Sequence, residues 1–144
     1  MQDELDDKLL ALLRKNARLP VALIARELAV ARTTAQARLE RLERNGTIVG
    51  YTVQLGVAAD AALIRATVLV VVDPHRLVSV LARLKSVGEV RAVHTTSGRF
   101  DLNVQVAALG TAKLDACLDK IGEIEGVKSL ESLIHLTTKL DRGA

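Results

Sequence analysis

The residue types with the clearest capacity for chemistry lie between positions 32 and 44, where arginine, threonine and glutamine alternate with apolar residues. In the major groove of DNA an arginine can pair with guanine and a glutamine with adenine, while a threonine can meet a base edge or a phosphate. The candidates for DNA contact are Arg32, Thr33, Thr34, Gln36, Ala37, Arg38, Arg41 and Arg44. The first five are expected at base edges, whereas Arg41 and Arg44 lie toward the end of the segment and are expected at phosphates.

The same segment also fits an ordinary solvated helix. Ala35, Leu39 and Leu42 recur at helical spacing, which predicts a helix over residues 33–45 with one apolar side. Between positions 14 and 44 there are eight basic residues, opposed by only three glutamates, and such a surface would attract phosphate. Exposed arginines are nevertheless common on surface helices, and Arg38 could pair with a neighbouring glutamate, Glu40 or Glu43. From this segment alone, DNA binding and a plain surface helix both remain open.

Two further helices are predicted before this segment. Residues 5–16 have an apolar face and begin with Asp6 and Asp7, which suit the start of a helix dipole. Pro20 suits the first turn of the second helix, and Gly46 ends the third because glycine readily adopts the left-handed conformation. Helices joined by a tight turn have the outline of a helix-turn-helix. Residues 47–55 are rich in β-formers and predict a wing or a connecting strand.

Composition excludes several classes of function. The 144 residues include one Phe, one Tyr and no Trp, which argues against single-stranded nucleic acid bound by aromatic stacking. The net charge of +3 does not by itself identify a nucleic-acid binder. The single cysteine, Cys117, cannot form an intrachain disulfide, and its apolar neighbours at helical spacing predict a buried residue rather than a catalytic thiol. The acidic start lacks the core of a signal peptide, and the longest apolar run is strand-sized, which predicts a cytoplasmic protein with no membrane partner.

The second half of the chain has mostly the two-residue period of strands. Strands are predicted over residues 65–73, 89–96, 100–107 and 129–137, and helices over 75–87 and 111–124. This order is the βαββαβ, ferredoxin-like arrangement, in which helices cover one face of an antiparallel sheet. The other face also carries apolar residues, and a second copy of the chain is the simplest cover. The predicted fold is therefore α+β, with a helix-turn-helix (winged-helix-like) domain at 1–50, a connecting strand and linker at 51–64, and an oligomerisation domain at 65–144, to which the family resemblance described next adds a ligand-binding role.

Several motifs together resemble those of the leucine-responsive/asparagine-regulator (Lrp/AsnC) family of transcription regulators. The matching residues are Leu5-Asp6-Asp7, Leu9-Leu10, Arg18, Ala25, Leu28, Arg38, Arg41-Leu42-Glu43, Gly46, Ile48, Gly50-Tyr51, Gly98-Arg99-Phe100-Asp101-Leu102 and Gly126-Val127. The chain departs at Ala29-Val30-Ala31, where the family usually has Gly-Leu-Ser. Loss of the serine removes a helix cap that contributes about 1 kcal/mol, and we expect Thr33 or Thr34 to cap the third helix instead.

The resemblance implies a DNA-binding regulator that responds to a small effector, often an amino acid. It also implies a homodimer whose sheets meet face to face, with further assembly to a tetramer or octamer, and effectors bound between subunits near the turn joining the two middle strands. In this chain the corresponding residues are Thr95, Thr96, Gly98, Arg99 and Asp101, with Ser132 as a neighbour from the last strand. A glycine exposes backbone amides to a carboxylate and an aspartate can pair with an ammonium, although Gly98 also fits a plain hairpin and Asp101 a solvated or turn-capping role.

The sequence gives little support for catalysis. There is no paired-carboxylate motif, no nucleophile with a nearby base and no phosphate-binding glycine loop, so we expect no enzyme activity and no cofactor. His75, His94 and His135 lack the spacing of metal ligands, so no metal site is expected. The alternative function is a small-molecule-binding or enzymatic αβ domain whose N-terminal helices serve only assembly, since ferredoxin-like domains serve many functions.

Overall fold

In the computed structural model, which describes residues 2–142, the chain divides into two units, Met1–Gln54 and Leu55–Ala144. The first unit contains three helices, α1 (Glu4–Lys15), α2 (Val21–Leu28) and α3 (Arg32–Arg44). Each turns its apolar side inward, and the fully or nearly buried core residues are Leu9, Leu13, Ile24, Ala25, Ala35 and Leu42. The predicted three-helix arrangement is therefore confirmed.

The turn between α2 and α3 is built without a side-chain cap. Ala29 adopts a left-handed conformation with φ of 54°, which costs an alanine about 1 kcal/mol, and its N–H bonds back to the end of α2. Ala31 is the N-cap of α3 and supplies no side-chain acceptor. The prediction that Thr33 or Thr34 would cap this helix is wrong, because α3 begins at Arg32 and both threonines lie inside its first turn.

The segment after α3 forms neither helix nor strand until α4 (Val57–Asp60). The predicted wing or connecting strand over residues 47–55 is thus wrong. The segment has strand-like alternation, but Val49 and Val53 are 95% and 77% exposed. A strand needs a hydrogen-bonding partner and a surface on which to bury its apolar residues, and sequence alternation supplies neither.

The second unit is a four-stranded antiparallel sheet of order β2-β3-β1-β4. Its strands are β1 (Leu63–Val72), β2 (Val90–Thr95), β3 (Leu102–Leu109) and β4 (Val127–Ile134). A short 3-10 turn at Pro74–Arg76 leads into α5 (Leu77–Lys85), and α6 (Gly110–Gly122) joins β3 to β4. This confirms the predicted βαββαβ order and the α+β class, with element ends that differ from the predicted ones by one to three residues.

Both α5 and α6 pack on the same face of this sheet. Val68 and Val104 lie at the centre of that face, fully buried together with Val80 of α5 and Ile121 of α6. The opposite side, called here the open face, is turned away from both helices. Its residues are Thr67, Leu69, Val71, Asn103, Gln105 and Leu133, all of them partly or largely exposed.

Candidate nucleic-acid interface and effector site

The outer side of α3 presents the residues that the sequence assigned to base contacts. Arg32, Thr33, Thr34, Gln36 and Ala37 are all exposed, while Ala35 and Leu42 are buried and fix which side faces outward. Two shallow depressions lie along this surface. One, of about 360 Å³, is lined by Thr33, Thr34, Ala37, Arg38 and Arg41, and the other, of about 550 Å³, by Arg32, Thr33, Gln36, Ala37 and Glu40. The helix therefore offers donors, acceptors and small side chains on one accessible side.

Glu40 shares this surface and holds the side chain of Gln36. The Gln36 Nε2 donates a hydrogen bond of 2.7 Å to Glu40 Oε1, one helical turn further on. Sequence reasoning treated Glu40 only as a nearby acid for Arg38. The i to i+4 spacing of Gln36 and Glu40 is the signal that could have identified this pair.

Arg38 and Arg41 turn toward α1 and bind its carboxylates. Arg38 forms ion pairs with Asp3 and Asp6, at 3.2 Å from Nη1 to the Oδ1 of Asp6, and Arg41 binds the Oδ2 of the same aspartate. Asp6 is fully buried, and its Oδ2 also accepts from the backbone N–H of Asp3 at 3.3 Å. Arg38 therefore pairs within the protein, as the sequence left open, but with carboxylates at the start of α1 rather than with Glu40 or Glu43.

This network, formed by Asp3, Asp6, Arg38 and Arg41, contains two negative and two positive side chains and is neutral overall. The Arg38 guanidinium lowers the pKa of the Asp3 carboxyl to about 2, and the same hydrogen bond raises the pKa of Arg38. Asp3 and Asp6 also form a capping box at the start of α1, each side chain accepting from the other's backbone N–H. The same carboxylates thus begin α1 and fasten α3 to it.

The burial of Asp6 changes the interpretation of the two arginines. Sequence reasoning placed Asp6 in the helix dipole and missed its partners, because they lie 32 and 35 residues away. Arg38 and Arg41 keep 26% and 41% of their side chains exposed, so each can still present N–H groups outward. Their charge, however, is largely compensated within the protein. Arg32 and Arg44, both exposed, form no ion pair among the residues that the structure describes.

The turn between β2 and β3 carries the residues assigned to an effector. Gly98 has φ of 98°, and a side chain added there would meet nothing within 4 Å. The Thr96 hydroxyl donates to the carbonyl of Phe100 at 2.7 Å, and its N–H donates to the carbonyl of Asp101 at 3.0 Å. Thr96 therefore holds the turn closed, while the space above Gly98 stays open.

Asp101 connects this turn to the neighbouring strand. Its Oδ2 accepts from the N–H of Val72 at 2.8 Å, and its own N–H donates to the carbonyl of Val70 at 2.9 Å. One carboxylate oxygen thus has a structural partner at the end of β1, in line with the turn-capping role left open by the sequence. The residue is nevertheless exposed, so its other oxygen is accessible to a cation such as an ammonium group.

Arg99 and Ser132 lie differently with respect to the turn. Arg99 is 82% exposed, stacks 4.9 Å from the centre of the Phe100 ring and approaches Glu131 of β4 at 3.9 Å. Ser132 is the register partner of Val68 in β4, at the opposite edge of the sheet from β2. Glu131, its neighbour on β4, is the register partner of Leu69 on the open face, and successive side chains of a strand point to opposite faces of the sheet. Within one chain Glu131 therefore approaches the turn, whereas the Ser132 side chain points to the other face.

Other candidate chemistry finds little support in the structure. Across residues 2–142, no group of three or more His, Cys, Asp and Glu side chains is placed to hold a metal ion. In the same range, no helix has the length and apolar character needed to cross a membrane. Cys117 is fully buried in the sheet–helix core, and burial raises the pKa of its thiol. Such a thiol is poorly suited to nucleophilic chemistry.

Both units match domains of known proteins. Residues 3–43 match the AsnC-type helix-turn-helix domain, and residues 65–144 match the Lrp/AsnC ligand binding domain. The HTH-type transcriptional regulator LysM of Saccharolobus solfataricus is 34% identical over 137 residues, which cover 94% of this chain and 94% of that protein. The solved structure of AsnC from E. coli has a TM-score of 0.88 at 25% identity and covers 100% of this chain and 98% of that one.

A second solved structure shows the shared fold. A transcriptional regulator from Neisseria meningitidis, solved as an L-Met complex, has a TM-score of 0.87 at 21% identity, over 98% of this chain and 94% of that one. The helix-turn-helix match spans α1 and α2 and almost all of α3, and the ligand-domain match spans most of β1 and all of β2, β3 and β4. The chain therefore belongs to the Lrp/AsnC family of transcription regulators.

Proposed function

We propose that this chain regulates transcription by binding duplex DNA through the outer side of α3 and by binding a small effector at the β2–β3 turn, without enzymatic activity. The observation that carries the proposal is the exposed row of Arg32, Thr33, Thr34, Gln36 and Ala37 near the start of a helix-turn-helix recognition helix. The first residues of such a helix contact base edges in the major groove.

The structure separates the basic residues of α3 into two groups with different expected roles. Arg38 and Arg41 are compensated by α1, so we assign them to the framework and, through their exposed N–H groups, to secondary phosphate contacts. Arg32 and Arg44 carry uncompensated charge, so we propose both as phosphate ligands, which for Arg32 replaces the base-edge role expected from the sequence. Thr33, Thr34, Gln36 and Ala37 are left as the candidates for base contact.

Fluorescence anisotropy with a labelled duplex over a salt series tests the DNA half of the proposal. Each lost phosphate contact should reduce the slope of log affinity against log salt by about 0.9. We expect that reduction for Arg32→Ala and for Arg44→Ala. Arg83→Ala is the matched control, because Arg83 is an exposed arginine on a helix of the other unit. Salt-insensitive binding, or equal slopes for all three variants, would remove α3 as the interface.

We also propose that two copies pair through the open face of the sheet. This face combines part-buried Leu69 and Val71 with Leu133, which is 49% exposed. A hydrogen-bonded row crosses it, from Asn103 through Gln105 and Thr67 to His135. An apolar surface whose polar side chains already bond to one another suits contact with a second copy, which would bury the leucines.

Sedimentation equilibrium distinguishes this surface from other exposed apolar residues. Leu133→Asp should shift the protein toward a monomer, because a carboxylate would be buried without a partner. Val78→Asp is the control, since Val78 is 83% exposed but lies on α5, away from the open face. If both variants have the same mass as the parent protein, the open face is not the contact surface.

For the effector we propose an amino acid or a related metabolite. The exposed Asp101 oxygen could pair with its ammonium group, while Arg99 and the open backbone at Gly98 could meet its carboxylate. Thr95 and Thr96 frame the turn, and we propose Ser132 as a contact contributed by the second copy of a dimer. In support, a structural neighbour with the same fold was solved with L-Met.

A thermal-shift screen against amino acids tests this site, since a ligand of the native state raises the melting temperature by mass action. A hit should be lost in Arg99→Ala, which removes an exposed side chain whose ion pair with Glu131 is long and solvent-screened. Arg91→Ala is the control, because Arg91 is also an exposed arginine but lies on β2 rather than in the turn. A hit that both variants retain would place the effector elsewhere.

A further inference from the structure

The side chain of Gln36 is held in one orientation by its neighbour on α3. A glutamine amide has an oxygen that accepts and a nitrogen that donates twice, and free in solution it can present either end. The Glu40 carboxylate can only accept hydrogen bonds. The 2.7 Å contact between Gln36 and Glu40 therefore requires the amide nitrogen of Gln36 to face Glu40, and its oxygen to face away.

The groups that remain free on Gln36 match one base. The amide nitrogen carries one N–H on the side of the carbonyl oxygen and one pointing away from it. When the N–H that points away bonds to Glu40, the other N–H and the oxygen remain free, side by side. Adenine presents an acceptor at N7 and a donor at N6 in the major groove, whereas guanine presents two acceptors, N7 and O6. The fixed amide complements adenine, and its oxygen would oppose the O6 of guanine.

The position of the pair makes this pattern available to DNA. Gln36 is the fifth residue of α3, exposed, and both it and Glu40 line the same depression on the outer side of the helix. The Arg32 and Ala37 side chains complete that depression together with Thr33. Ala37 is small, so it leaves room for a base edge beside the amide.

We infer that Glu40 is a specificity-determining, positioning residue, which orients the Gln36 amide so that α3 prefers adenine over guanine at one base position. This inference rests on the proposed function, since it concerns the base contacts of the same helix. Glu40 itself needs no contact with the base. A negative side chain on a DNA-binding surface weakens general attraction to phosphate, so its presence there is explained by the selectivity that it provides.

Selection of bound duplexes from a random-sequence pool, followed by sequencing, tests the inference. Wild type should enrich one position for adenine over guanine, by about 5- to 150-fold for a good bidentate contact. Gln36→Ala and Glu40→Ala should both lose the preference at that position. Glu40→Asp keeps an acceptor-only carboxylate at the same helical spacing and should retain part of it.

Glu43→Ala is the matched control for charge. Glu43 is an exposed glutamate of the same helix that does not line the depression with Gln36. Removing either acid should strengthen general DNA binding, but only Glu40→Ala should relax the adenine preference. A role of Glu40 limited to helix stability would leave the preference unchanged and alter only the melting temperature.

Three results would overturn the inference. A Glu40→Ala variant that keeps the adenine preference lost in Gln36→Ala would mean that Gln36 needs no positioning. A Gln36→Ala profile identical to that of wild type would mean that Gln36 contacts no base. Failure of the wild type to enrich any duplex would instead remove the proposed DNA-binding function, and this inference with it.

Discussion

Replacing Arg38 and Arg41 together with alanine should strongly destabilise the N-terminal unit. The Asp6 carboxylate is fully buried and accepts from both guanidinium groups and from the backbone N–H of Asp3. The double substitution leaves it with the backbone donor alone. A buried charge without a partner is among the most costly defects in a folded protein.

The size of the destabilisation depends on how deeply the aspartate and the two arginines of the network are buried. Removing one partner of a buried ion pair costs about 3–5 kcal/mol. Because Arg38 and Arg41 are 26% and 41% exposed, solvent screens part of their interaction, and we expect the lower end, about 3 kcal/mol. A unit the size of Met1–Gln54 has a total stability of about 3–8 kcal/mol at ordinary values per residue. The predicted loss is therefore comparable with the whole stability of the unit.

Urea-dependent hydrogen exchange of peptides from α1, α2 and α3 measures this stability without interference from the sheet. Arg44→Ala is the control, because Arg44 is exposed and makes no ion pair in the part of the chain that the structure describes. Adding Asp6→Asn to the double variant removes the stranded charge and should recover part of the loss. A double variant within about 0.5 kcal/mol of Arg44→Ala would refute the reasoning.

Three further outcomes follow from individual residues. Asp3 has a pKa of about 2 against its usual 3.8, so its contribution to stability is complete above pH 4 and should be lost as the pH falls toward 2. In an acid titration followed by unfolding, the stability of Asp3→Asn should therefore decline less steeply over that range than that of the parent protein. Gly126→Ala would place a Cβ 2.5 Å from the Cβ of Arg76 and should cost about 2 kcal/mol or more in thermal unfolding, whereas Gly98→Ala, also at positive φ but in open space, should cost about 1 kcal/mol. Cys117 should react with a thiol reagent only at the rate of unfolding, and immediate labelling of the native protein would contradict its burial.

Local sequence patterns predicted the elements but not the contacts between them. The alternation of β3 and the apolar side of α3 were readable because one buried face imposes a period of two or 3.6 residues on the chain. Asp6 was not readable as a buried ion-pair partner, because nothing in its neighbourhood points to arginines on another helix. For the segment after Gly46 the local pattern predicted a strand that does not form, since its strand-like alternation lacks a pairing partner among the described residues.

The same distinction, between features set by local sequence and features set by contacts between elements, applies to the candidate sites. Exposure of Arg32 and Gln36 follows directly from the helical period, so the outer side of α3 could be predicted from the sequence. The sequence could not predict which arginines have their charge compensated, because charge pairing depends on the packing of α1 against α3. At the β2–β3 turn, the glycine conformation was predictable, but the bond from Asp101 to Val72 depends on strand register.

Hydroxyl-radical footprinting of the protein with and without duplex DNA tests the central claim most directly. We predict that DNA protects the peptide carrying residues 32–37 from oxidation, while the peptide of α5 over residues 77–85 is oxidised equally in both samples. Protection confined to the sheet unit, or no protection at concentrations where anisotropy reports binding, would contradict the assignment of α3 as the DNA-binding surface.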